Sequence, residues 1–117
     1  MPVRLAGCLL YALSGCGFFE RDGMLKLPDH VSCYSHSPTF GPDTMPGGLA
    51  HDHQTQSNVW AKIVVLSGQL RFSVSDGADA GQVFVLSPAL AGIVAPLSRH
   101  HIQCLSDDTR FMLEFYR

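Results

Sequence analysis

Apolar and polar positions alternate along most of this chain after Met24, and that alternation predicts a succession of short β-strands. The plainest case runs from Val59 to Leu66. Lys62 fixes its outer face, so Val59, Ala61, Ile63 and Val65 point inward, and Trp60 points outward or is covered by another element. Ser67-Gly68 is the turn, and Gln69 to Ser75 returns with Arg71 and Ser73 outward and Leu70, Phe72 and Val74 in the core. Before this hairpin, Leu25 to Pro28 and Val31 to His36 read as a lead-in and a first short strand. Pro38, Pro42 and Pro46 then keep the chain extended and irregular, because proline removes a ladder donor and restricts the residue before it. Gly47-Gly48 permits a tight bend before an extended stretch from Leu49 to His53, and Gln54 to Asn58 is a polar loop.

After the hairpin, Asp76 to Gly81 is a turn, and Gln82 to Leu86 is a strand ended by Ser87-Pro88. Gly92 to Ala95 is extended, and Arg99 to Leu105 is a strand. Arg110 to Tyr116 closes the chain with Phe111, Leu113 and Phe115 opposing Met112, Glu114 and Tyr116. No convincing amphipathic helix follows Met24. Strands of this length, separated by Gly and Pro turns, predict a single-domain, all-β antiparallel sandwich or barrel, closed or nearly closed as a jelly roll.

The composition narrows the class. At 117 residues the chain can bury a core without disulfides, and 46% hydrophobic against 15% charged residues with a net charge of -2 describes a lightly charged surface. Lysine and arginine are scattered singly, so the electrostatic footprint that nucleic acid needs is missing. No stretch approaches the roughly twenty apolar residues of a membrane-spanning helix. Residues 1–23 differ from the rest: Arg4 as the one positive charge ahead of a short apolar run, then Leu13-Ser14-Gly15-Cys16, which resembles a bacterial lipobox. Used as such, it would anchor the protein to a membrane through Cys16. Met24-Leu25-Lys26-Leu27-Pro28 reads as a natural protein start, and this second reading is preferred: residues 1–23 form an overextended start or loose appendage, residues 24–117 the domain, in the cytoplasm. Cys33 and Cys104 lack the spacing of a metal ribbon; a bridge between them is open, and free buried thiols are the simpler expectation.

Candidate chemistry sits in two histidine clusters, Gly47-Gly48-Leu49-Ala50-His51-Asp52-His53 and Pro96-Leu97-Ser98-Arg99-His100-His101. His51 and His53, two apart, share one face of an extended strand, and His100 on a neighbouring strand could complete three imidazoles around an open metal site. Asp52 faces the other way. His101 should turn away from His100 as a rim histidine, while His30 and His36 have weak claims. No dinucleotide fingerprint, phosphate loop or nucleophile elbow is present.

The run through Thr39-Phe40, Thr44-Met45-Pro46, His53, Val59-Trp60-Ala61-Lys62-Ile63-Val64-Val65-Leu66-Ser67-Gly68-Gln69-Leu70-Arg71-Phe72, Pro96, His100, Asp107-Asp108-Thr109 and Glu114-Phe115 resembles the TehB/YeaR-like cupin family. These are small bacterial domains associated by name with tellurite resistance, and the resemblance covers nearly all of residues 24–117. It implies a cupin jelly roll holding a divalent metal, zinc or iron(II), on an H-x-H pair, a glutamate and a later histidine. His51, His53 and His100 match the histidines. Ala61 stands where the glutamate would be, and alternation sends Glu114 outward, leaving Gln56 and Asn58 as weak oxygen donors. Ala61, Ile63, Phe72 and Gln56 are expected to line the pocket. The methyltransferase activity of longer proteins of this name needs a separate domain and is not carried over. The expected function is a metal-binding domain that binds or senses a small molecule, anion or oxidant in a stress response. A three-histidine dioxygenase or isomerase is the alternative, and a metal-free interaction module the third. A homodimer covering Trp60 and Tyr116 is expected.

Overall fold

In a computed structural model of the protein, residues 18–19, 24–77 and 79–117 are described. The lipobox-like stretch ending at Cys16 lies outside them. The described residues form ten strands: β1 (Phe18–Phe19), β2 (Leu25–Lys26), β3 (Cys33–His36), β4 (His53–Gln54), β5 (Trp60–Ser67), β6 (Leu70–Val74), β7 (Val83–Leu86), β8 (Gly92–Val94), β9 (Arg99–Cys104) and β10 (Arg110–Tyr116). Two four-stranded antiparallel sheets carry the fold, one in the order β3-β10-β5-β8 and the other β4-β9-β6-β7, with β1 and β2 as a separate ribbon. Each sheet interleaves strands distant in sequence, so the hairpin strands β5 and β6 end up in different sheets. Ser67-Gly68 is therefore a corner between sheets, not the turn of a paired hairpin.

The inner faces form one core, because period-two alternation leaves each strand with one apolar row to bury. Ala61, Ile63 and Val65 of β5 and Phe111 of β10 meet Leu70, Phe72 and Val74 of β6, Phe84 and Leu86 of β7 and Ile102 of β9. Gly92 sits where the sheets come closest: a Cβ there would lie 2.7 Å from Leu86 Cδ1 and 3.2 Å from Phe72. The outer row of β5 and β10 pairs Trp60 with Tyr116, Lys62 with Glu114 and Val64 with Met112. Trp60 is half-buried and packs against the core cluster. Glu114 accepts a hydrogen bond from the Tyr116 hydroxyl at 2.8 Å, and burial together with that bond pushes the Tyr116 hydroxyl up to about 12.

Two expectations need correction. The stretch Leu49 to His53 is not one extended strand: Gly47–Ala50 forms a 3-10 turn, with Leu49 N–H donating to the Pro46 carbonyl at 3.0 Å and His51 N–H to the Gly48 carbonyl at 3.3 Å. Only His53–Gln54 pairs with the sheet. Cys33 and Cys104 are free, as expected, yet Cys33 is exposed rather than buried.

Candidate functional site

β4 and β9 bring two histidines together. His53 and His100 are direct cross-strand partners, so their side chains leave the sheet on the same face, and the ring centroids lie 4.0 Å apart at an angle of 60°. Each ring is oriented by its own backbone. Nδ1 of His53 lies 3.0 Å from the His51 carbonyl oxygen, and Nδ1 of His100 lies 2.9 Å from the Ser98 carbonyl oxygen. A carbonyl oxygen only accepts, so each Nδ1 carries the hydrogen, and in the neutral ring each Nε2 is left as a lone-pair acceptor. His100 is 4% exposed, with Phe72 edge-on to its ring at 6.0 Å. Burial lowers its pKa to about 4, against a smaller upward pull from the Ser98 carbonyl, so the ring stays neutral near pH 7.

The same alternation builds a second polar group on the opposite face. Asp52 Oδ1 receives the Ser75 hydroxyl at 2.8 Å and lies 2.9 Å from His101 Nδ1. These two contacts hold the Asp52 carboxyl below its usual range, with Arg99 adding a smaller pull. His101 thus points outward as expected, and its carboxylate partner is a feature that spacing alone did not show.

Between the sheets, the histidine pair opens into a cavity of about 360 Å³, within the size range of small-ligand pockets. Its apolar wall comes from Val59, Ala61 and Ile63 of the β5 segment, Val94, Ile102, and Leu113 with Phe115; Leu49 of the 3-10 turn also reaches it. Tyr34, Ser35, Gln54, Thr55 and Gln56 add polar groups. Two of these are engaged, since Gln54 Nε2 donates to the Leu97 carbonyl at 2.9 Å and the Thr55 hydroxyl to the Ala95 carbonyl at 2.7 Å. No lysine, arginine, aspartate or glutamate lines the cavity among the described residues.

Of the expected pocket residues, Ala61, Ile63 and Gln56 line the cavity, while Phe72 does not: it is fully buried in the core behind His100. His53 and His100 meet as expected. His51 does not join them; it is exposed at the bend after the 3-10 turn and meets the pair only through its backbone carbonyl. The described residues contain no group of three or more His, Cys, Asp or Glu side chains that could hold a metal ion. These two imidazoles are one short of the three protein ligands of a catalytic zinc site, and Ala61 supplies no carboxylate to complete the set. Tyr34 and Ser35 escaped the sequence reading because β3 reaches the cavity only by pairing with the C-terminal strand.

Fold and site together define a small, all-β domain of two antiparallel sheets with a cavity between them. The TehB-like domain family model matches residues 35–113, and the chain belongs to that family. It is 28% identical over 92 residues to the Haemophilus influenzae protein named "Probable S-adenosyl-L-methionine-dependent methyltransferase TehB", covering 77% of this chain and 32% of the relative. The chain thus spans about a third of that relative's length. It is 23% identical to "Uncharacterized protein YeaR" of Escherichia coli, covering 80% of this chain and 83% of the relative. A crystal structure of an E. coli protein superposes with a TM-score of 0.72 at 22% identity, over 80% of this chain and 97% of that one. An oxalate decarboxylase from Lactobacillus farciminis shares the fold more distantly, with a TM-score of 0.51 at 18% identity over 67% of this chain and 22% of its own.

Proposed function

We propose that this TehB-like domain binds a small molecule in the cavity between its sheets, with His53 and His100 as the polar contact. The observation that carries this reading is the pair of facing imidazoles, each locked through Nδ1, at one end of an apolar cavity of about 360 Å³. The reading takes the two sheets as the walls of a jelly-roll barrel whose interior is the cavity. Among the described residues the lining offers no carboxylate, lysine or cysteine, so any proton transfer in the cavity would fall to His53 and His100. In the stress setting that the family name implies, such a domain would report on or sequester a small compound.

The test is to fill the cavity. Ala61 lines it and is buried, so Ala61→Phe should occupy the ligand volume. With small fragments titrated into the isotope-labelled protein, methyl resonances of Ile63, Val94 and Leu113 should shift in the native chain and stay still in the variant. Fragments that shift only surface residues would overturn the reading.

A further inference from the structure

From the chemistry of the lining we infer that the cavity takes an uncharged ligand that presents a hydroxyl or N–H hydrogen to His53 and His100, and that it rejects anions. This rests on the ligand-binding reading and specifies the class of ligand. Both imidazoles have committed their Nδ1 hydrogens to backbone carbonyls, of His51 and Ser98. What each ring offers the cavity in its neutral form is therefore an Nε2 lone pair, and two such acceptors at a ring separation of 4.0 Å call for a donor between them. An anion would meet these lone pairs with no compensating charge, because no lysine or arginine lines the cavity among the described residues.

One Gln54 amide N–H and the Thr55 hydroxyl are already committed, to the Leu97 and Ala95 carbonyls. The wall built by Val59, Ile63, Val94 and Phe115 is apolar and suits a hydrocarbon or aromatic body, with Tyr34, Ser35 and Gln56 as the further polar residues of the lining. The ligand class is thus a compact apolar molecule with one O–H or N–H head, such as a phenol or alcohol.

Three matched probes test the rule on the full chain in metal-free buffer: p-cresol, 4-methylanisole and p-toluate, followed through the methyl resonances of Ile63, Val94 and Leu113. The phenol should bind at least about tenfold more tightly than its methyl ether, the effect of one well-formed buried hydrogen bond, and p-toluate should bind no better than the ether. In His53→Ala the preference for the phenol should shrink to less than about twofold. His53→Gln serves as a second variant, because its amide keeps both an acceptor and comparable bulk. Binding of p-toluate as tight as that of p-cresol, at the same methyls, would overturn the donor rule while leaving ligand binding in the cavity intact. A phenol preference that survives in both variants would overturn it too. One equivalent of zinc displacing p-cresol would assign the lone pairs to a cation instead. If no probe moves the cavity methyls, both the rule and the binding reading fail.

Discussion

At the scale of single residues, the neutrality of His100 is what shapes the site. Its unfolded value is the ordinary 6.5 and its folded value is about 4, so between these the unfolded chain binds more protons than the folded one. Stability is then fully present above pH 6.5 and declines as pH falls toward 4, by at most about 3 kcal/mol. The groups that act on it are its neighbour His53 together with Asp52 and His101 from the opposite face. Urea titrations across this range should show the decline in the native protein and a flatter profile in His100→Gln. A decline of equal depth in that variant would place its origin elsewhere. The family resemblance placed His53 and His100 together but could not show their tautomers, because those follow from the carbonyls of His51 and Ser98 rather than from residue type.

At the scale of elements, strands with long clean alternation were legible and short ones flanked by glycine were not. Val59, Ala61, Ile63, Val65, Leu70, Phe72 and Val74 are all buried, as their parity required. The stretch before His53 read as strand because its residues tolerate that state. It folds as a 3-10 turn after Pro46, with Leu49 packed against the core and facing the cavity. Gly68 marks the other decisive turn. Its φ is +70°, and a Cβ would lie 2.8 Å from the backbone Cα of Thr109, which is fully buried and donates from its hydroxyl to the Gln69 carbonyl at 2.8 Å. Gly68→Ala should cost roughly 1 to 3 kcal/mol by urea denaturation, since the left-handed backbone and the close approach both oppose a side chain. Gly47→Ala, where a Cβ meets nothing within 4 Å, should change far less.

At the scale of the whole molecule, the outward face of β5 and β10 is the open question that solution measurements can answer. Leu66 is 49% exposed, and Val64, Met112 and Tyr116 share its face with the Lys62 and Glu114 pair. Under a two-fold axis this row of both charges, flanked by apolar side chains, is complementary to itself. Sedimentation at micromolar concentration should find a homodimer that Val64→Glu with Leu66→Lys converts to a monomer; a native monomer would remove the proposal. By itself, the sequence determined the all-β class and the inward row of each long strand, while the place of His100 beside His53 was implied by the family resemblance. The class and the rows follow from period-two alternation and from which residue types tolerate burial, and both are local properties. Only the tertiary structure decided that His51 stands apart, that Phe72 backs His100 instead of lining the cavity, and that Asp52, Ser75 and His101 meet on the outer face. Each depends on where distant strands pair and on which side chain, Leu49 above all, a turn must deliver to the interior.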